Sequence, residues 1–453
     1  MNHHHQSITR TVLVCLLFGW GAVFAQSKKG YSFTLEEAIT HAQQNNYSAL
    51  NANRDVTIAL KKKWETTSIG LPQLNAGVNY QNNIELAKSV IPAQFFGGQP
   101  GEFATVAFGT RHSMNASATL SQLLFDGSYL VALQASKTYL KISEQAKVKT
   151  ANEIREMVIN AYGNVLLADE SIGILQKNKA ILEKVLSDTQ QIFKNGLTEE
   201  ENVEQLQITL SSVKSSLENV QRSKIIASQL LKLILGIDLD ESIELKDRLD
   251  KIATQHMDMA LSQSNFEVKG NIDYLIGQNA LEAKKLMVKL EKSKALPSLA
   301  ANATFGYNSF SDTFTFANTN QKWNNFSFIG MGLNIPIFSS LGRSMRTQQA
   351  QLSFEQAKTQ LTETEQRLKL QWAKAKSDFE FSLQQWGTAK NNLALAERIE
   401  NKQQIKFREG LSTSFDFTDA QRQLYSAQQN VLQTMIDVVN KRAALEKLAG
   451  TNK

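Results

Sequence analysis

The chain carries a single cysteine, Cys15, among its 453 residues, and that cysteine lies in the first 25, which read as a leader. A mature chain without cysteine excludes a disulfide scaffold and thiol chemistry. Val14 stands just before Cys15, where a lipid-attachment signal needs a small residue, so lipidation is not expected. Beyond the leader no window of 18 apolar residues occurs, which excludes a bilayer-spanning helix. Histidine is nearly as scarce: after the leader there are only His41, His112 and His256, none with a partner at metal-ligand spacing. Nucleophile elbow, phosphate loop and zinc-helix motif are all missing. No enzyme activity, catalytic residue, metal or other cofactor is therefore expected. Prolines number five, and the long stretches around positions 196 and 410 contain none.

Residues 1–25 have a polar start ending at Arg10, an apolar run from Thr11 to Phe24 and an acceptable cleavage site at Val23-Phe24-Ala25. This is the pattern of a secretory signal peptide, too short for a stable transmembrane helix. The histidines His3, His4 and His5 go with it. Lysine and arginine (49) only slightly outnumber aspartate and glutamate (43). With both signs interspersed, that balance describes a solvated surface, and no nucleic-acid partner is expected.

What is present is a repeat. Phe193-Lys194-Asn195-Gly196-Leu197 recurs as Phe407-Arg408-Glu409-Gly410-Leu411 at an offset of 214, and the same offset carries Gly236 onto Gly450. Leu71-Pro72-Gln73-Leu74 recurs as Leu296-Pro297-Ser298-Leu299, a register that also sets Asn46 on Asn271 and Leu50 on Leu275. A period above 200 residues is too long for a solenoid and marks a duplicated half-protein. The expected division is 1–25 leader, 26–236 first repeat, 237–268 collar segment and 269–453 second repeat.

Each repeat opens with a helix. Thr34-Leu35-Glu36-Glu37 has the form of a capping box, and the helix it starts is expected to run to Thr67, before Pro72. Lys61-Lys62-Lys63 reads as its solvated face. The period then changes to two. Leu74, Ala76, Val78 and Tyr80 alternate with Gln73, Asn75, Gly77 and Asn79; Met114, Ala116, Ala118 and Leu120 with Asn115, Ser117 and Thr119. The second repeat has Leu299, Ala301, Ala303, Phe305 and Tyr307 against Asn302, Thr304 and Asn308, then Ile329, Met331, Leu333 and Ile335 against Gly330, Gly332 and Asn334. Strict alternation is the strand signal. The polar sides carry almost no charge. A soluble sandwich remains open, but the composition suits a barrel with lipid outside and water within. Trp323, Tyr307, Tyr80 and Phe326 are candidates for an interfacial aromatic belt or for plain packing. The segment joining the first two strands, with Phe95, Phe96, Gly97, Gly98 and Pro100, reads as a long loop.

The remainder reads as rods. Ile154, Val158, Ala161, Val165, Ala168, Ile172, Leu175 and Leu182 step by three and four, as do Ala357, Leu361, Leu368, Trp372, Ala375, Phe379, Leu383 and Trp386. Such spacing is a coiled-coil seam, and a helix from 128 to 193 would be on the order of 100 Å long. Gly196 and Gly410 end the rods, and Thr198-Glu199-Glu200-Glu201 has the form of a second capping box. Two repeats supply four strands, too few to close a barrel. An open edge in lipid strands backbone groups, so copies must share the sheet. Two, three or four copies satisfy that requirement.

The leader, the Thr34-Leu-Glu-Glu-Ala start, the paired Leu-Pro-x-Leu motifs, Pro336-Ile337-Phe338 and the paired Phe-x-x-Gly-Leu tips resemble the TolC family of outer-membrane efflux proteins. The match runs through nearly the whole mature chain. The resemblance implies an α+β membrane protein: a homotrimer with a 12-stranded barrel in outer-membrane lipid, continued by a periplasmic α-helical coiled-coil barrel. It implies a passive exit duct working with a periplasmic adaptor and an inner-membrane efflux pump or ABC translocase. Drug efflux and one-step protein secretion use the same fold. The competing reading is a periplasmic adaptor-like coiled-coil structural protein, against which the four uncharged strands argue. By resemblance, Asp416 and Asp419 form a cation-binding periplasmic gate, and Gly196, Leu197, Gly410 and Leu411 are adaptor-contact tips. Acidic residues in a first helical turn also stabilise the helix end without any pore. The first repeat departs, with Asn202 and Gln205 at the positions repeating Asp416 and Asp419. Ser412 replaces a basic residue that often locks the family's closed state.

Overall fold

A computed structural model describes residues 30–263 and 265–450. The leader with Cys15 and His3 to His5 lies outside the described residues.

The first repeat begins with strand β1 (Gly30–Phe33) and helix α1 (Leu35–Asn45), which starts at the expected Thr34/Glu37 capping box. The expected single helix is in fact two. Asn46 has an extended ψ of 138° and caps a new helix, α2 (Tyr47–Ser68), by accepting from the Ser48 N–H at 2.8 Å. Its amide also donates to the carbonyl of Ile234 at 2.7 Å. Asparagine can serve both ends because its side chain holds an acceptor and a donor. Asn271 does the same in the second repeat, accepting from the Asp273 N–H at 2.8 Å and donating to the Leu448 carbonyl at 2.8 Å. The apolar spacing of α2 continues through the break, which is why the sequence reads as continuous helix.

Strands β2 (Gln73–Asn82) and β5 (His112–Asp126) follow, separated by a small hairpin of β3 (Lys88–Pro92) and β4 (Phe103–Ala107). That hairpin replaces the expected loop. Asp126 ends β5 and at once caps helix α3 (Gly127–Lys194), accepting from the Ser128 and Tyr129 N–H groups. Helix α4 (Glu200–Leu235) returns antiparallel. The collar segment holds β6 (Ser242–Leu245), α5 (Leu249–Gln255) and α6 (Ala260–Gln263). The second repeat supplies α7 (Ile272–Ser293), β7 (Ser298–Ser311), β8 (Asn324–Asn334), α8 (Gly342–Arg408) and α9 (Ser414–Ala449). Between β8 and α8 the backbone turns through two left-handed residues, Ser340 and Leu341. Arg343 holds this turn by donating to the carbonyls of Pro336 and Ile337.

The large sheet has the order β2-β5-β7-β8, all antiparallel. Its register sorts the faces. Leu74, Leu120, Ala303 and Ile329 lie in one cross-strand row, and Val78, Ala116 and Tyr307 in another on the same side. Asn79, Asn115, Asn308 and Asn324 lie in a row on the opposite side, where Asn115 hydrogen-bonds Asn308 and Thr119 Oγ1 lies 3.0 Å from Thr304 Oγ1. Below the β7–β8 connection the apolar face is open, with Ile329 83% exposed. Of the two readings of Phe326, packing holds: it pairs with Gly306 on the polar face, where its ring covers the glycine, and so is not part of an outward aromatic belt. Tyr80 sits on the apolar face, against Phe314 and Phe316 of the β7–β8 connection.

The largest core lies where the rods cross the collar and includes Ile154, Val158, Tyr162, Leu235, Leu249 and Ile436. Parallel pairing of β1 with β6 ties the start of the described chain to the collar. The fully buried Tyr162 hydroxyl lies 3.0 Å from the Phe33 carbonyl oxygen and 3.1 Å from Asp247 Oδ2, its single proton shared between the two acceptors. Burial first, and then the Asp247 charge, push its pKa well above the ordinary phenol value. It therefore remains a donor.

Candidate functional site

At the ends of the helical hairpins, furthest along the chain from the sheet, Gly196 and Gly410 adopt φ of +71° and +72°. Each closes the same motif: Gly196 N–H donates to Phe193 O and Leu197 N–H to Ile192 O, as Gly410 does to Phe407 and Leu411 to Lys406. This is the left-handed cap that glycine favours, with an apolar residue following it. Leu197 and Leu411 are left 78% and 77% exposed. They line one cleft of about 920 Å³ together with Asn202, Phe407 and Gly410. The four predicted tip residues are thus brought to one end of the molecule.

Asp416 and Asp419 sit one turn apart at the start of α9, in different surroundings. Asp416 is exposed and closes a capping box with Thr413: its carboxylate accepts from the Thr413 N–H at 3.1 Å and from its hydroxyl at 2.8 Å, while its own N–H donates to Thr413 Oγ1. The Thr413 side-chain bond, then the backbone bond, hold the Asp416 carboxyl below its ordinary pKa. Asp419 is paired with Arg422 and accepts from Gln423 at 2.7 Å. It lines a second cleft with Gln205, Phe415 and Tyr425.

The first repeat differs in a way its sequence mislabels. Helix α4 starts at Glu200 with Glu199 as its cap residue, and no side-chain capping bond forms there. The hydroxyl in Thr198 stands one residue too early, opposite Ser412 rather than Thr413, and instead accepts from the Asn202 amide at 3.1 Å. Asn202 Oδ1 accepts from the Ser414 N–H at 3.1 Å, so the first hairpin caps the helix of the second. This link was invisible in the sequence, where Asn202 registers only as a lost carboxylate.

Behind the tips, Phe417 is fully buried, stacked on Phe407 with centroids 5.4 Å apart and packed among Leu182, Val185, Leu206 and Leu210. Between this cluster and the collar core, the contact between α3 and α9 includes a polar stretch: Ser171 donates to Gln429 at 3.1 Å and Asn178 to Gln428 at 3.4 Å. Within the second hairpin, buried Glu400 accepts from Gln421. Burial raises its pKa; the Gln421 bond and Arg408 oppose this without cancelling it. A carboxyl whose folded pKa is raised costs stability once pH exceeds its unfolded value. Glu400→Gln keeps the acceptor and removes the charge. Its thermal midpoint should exceed that of the parent at pH 7 and match it in acid below about pH 4, as followed by circular dichroism.

A family model described as outer membrane efflux protein matches residues 38–237 and 277–451, most of the chain. The chain belongs to the outer membrane efflux protein family. Among curated relatives, it is 20% identical over 435 residues to the outer membrane protein TolC of Vibrio cholerae serotype O1, covering 96% of this chain and 94% of that one. It is 23% identical over 402 residues to the outer membrane efflux protein BepC of Brucella suis biovar 1, covering 87% and 85%. Among solved structures, the outer membrane protein VceC from Vibrio cholerae superposes with a TM-score of 0.69 at 17% identity, over 92% of this chain and 96% of that one.

Membership settles what the sheet and rods are for. This outer membrane efflux protein is an export channel of the cell outer membrane that extends into the periplasm. Its fold is the trimeric one in which each chain lends four strands to a barrel continued by a helical tunnel. The tip residues and aspartates therefore stand at the periplasmic end.

Proposed function

We propose that this chain is the outer exit duct of a three-part machine, conducting cargo passively from a periplasmic adaptor and an inner-membrane efflux pump or ABC translocase to the exterior. The observation that carries the reading is a four-stranded sheet, apolar on one face and uncharged and largely polar on the other, running directly into paired helical hairpins. Within the duct, Asp416 and Asp419 serve as the periplasmic gate, and Gly196, Leu197, Gly410 and Leu411 as the adaptor-contact tips. The working divisions are a first repeat over 26–236, a collar over 237–268 and a second repeat over 269–453. An adaptor-like structural protein is disfavoured because such a protein has no use for a lipid-facing sheet.

The repeat also supports the contacts expected between copies. Within one chain the two repeats meet where β5 pairs with β7, α7 packs on α3, and α3 packs on α9. Their repeat-related counterparts join copies: β8 with the next copy's β2, α8 with its α2, and α8 with its α4. The faces concerned carry the apolar groups that need cover, including Trp64 on α2, Ile225 and Ile226 on α4, and Leu370 and Phe381 on α8. The Ser171–Gln429 contact maps at the 214 offset to Gln385 of one copy and Ser215 of the next. Gln385→Cys combined with Ser215→Cys, treated with a short bismaleimide in outer membranes, should yield a covalent ladder ending at trimer. Monomer alone, or material found only in the soluble fraction, would defeat the assignment.

A further inference from the structure

The two repeats part company at the outer end of the sheet. The second repeat joins β7 to β8 through residues 312–323, whereas the first joins β2 to β5 through 83–111 and builds the β3–β4 hairpin there. The hairpin's strands pair with each other in a separate sheet and make no extended packing against the rest of the described chain. Its bulky groups face solvent: Val90, Phe96 and Phe108 are exposed, Phe95 is 78% and Phe103 70% exposed. A lone two-stranded hairpin is marginal in water, and one that shows its apolar side chains needs cover.

Geometry selects the cover. The hairpin grows from the end of β2, the edge strand where the next copy joins, so the trimer carries three hairpins around one mouth. Twelve strands about 4.8 Å apart, tilted about 40°, enclose a radius on the order of 12 Å. A five-residue strand such as β3 reaches about 17 Å, enough to gain the axis. Phe310, half exposed at the outer end of the water-facing side of β7, extends the apolar surface inward beneath the hairpin's root.

We propose that the three hairpins fold across the outer mouth of the barrel and pack on one another, each copy covering the aromatic side chains of the next. The lid occupies the water-facing opening and is distinct from the periplasmic gate. It rests on the trimeric duct reading.

The mature chain has no cysteine, so Phe95→Cys gives a single thiol per copy. Oxidation in outer membranes should produce covalent dimers holding about two of every three chains, the third lacking a partner by symmetry. Ile329→Cys on the lipid face should give none. Replacing residues 88–107 by a Gly-Ser turn should raise single-channel conductance several-fold. Absence of Phe95→Cys dimers while the Gln385/Ser215 cysteine pair still yields trimer overturns the lid alone. Loss of both cross-links overturns the duct reading beneath it. Equal dimers at Ile329→Cys, or unchanged conductance on hairpin replacement, also overturns the lid.

Discussion

Asp416→Asn combined with Asp419→Asn should weaken block by divalent cations about tenfold or more in planar bilayers, a loss of about 1.4 kcal/mol per decade, and should raise conductance. On the proposed gate, the two positions of each copy would place six carboxylates about one opening, where like charges concentrate cations. Asparagine retains an acceptor for Thr413, so the α9 cap survives and the charge is tested rather than the helix. The pH dependence has a definite sign. Thr413 holds the Asp416 carboxyl below its ordinary pKa, so it is ionised throughout the neutral range. Block in the parent should persist between pH 5 and 8 and fade only at pH below the ordinary aspartate range. Parent and variant with equal block at pH 7 would refute the gate.

Gly236→Ala should abolish accumulation of the folded protein in the outer membrane, while Gly450→Ala, its repeat partner, should be tolerated. Both glycines cap a return helix in the left-handed region, with φ of +72° and +69°. That conformation costs an alanine about 1–2 kcal/mol. The surroundings separate them. A Cβ on Gly236 would lie 2.3 Å from the Asn45 carbonyl oxygen, where backbone must move, whereas on Gly450 it would meet the Gly270 carbonyl at an ordinary 3.5 Å. The Asn45 backbone cannot retreat without disturbing Asn46, which holds α2 and the Ile234 carbonyl together. Comparable yields and thermal midpoints for the two variants would show that the collar is more pliant than its packing indicates.

Local patterns with a single solution were legible in the sequence. Alternation placed β2 and β5 within a few residues, because a one-residue slip would exchange the two faces of the sheet. The Gly196 and Gly410 turns were equally plain. What depended on partners remote in sequence was not. The break at Asn46 needs the Ile234 carbonyl, and the bond from Ser414 to Asn202 joins residues 212 apart. The Thr198 box fails because a one-residue difference between the repeats moves the hydroxyl off the cap, while the box that does form uses Thr413 and Asp416. The β3–β4 hairpin escaped because five-residue strands flanked by glycine and proline look like loop. Residue type alone left Phe326 between belt and packing; its parity along β8 puts it on the polar face.

The serine, asparagine and glutamine contact between α3 and α9 sets how the wall can yield. Neutral hydrogen bonds are worth only about 0.5–1.5 kcal/mol each once water can replace them. A seam closed by leucines would resist separation in proportion to the oily surface it uncovers. Between the apolar clusters at the collar and behind the tips, the amides can exchange their partners for solvent and close again, so this middle stretch of the wall yields one bond at a time while both its ends stay clamped.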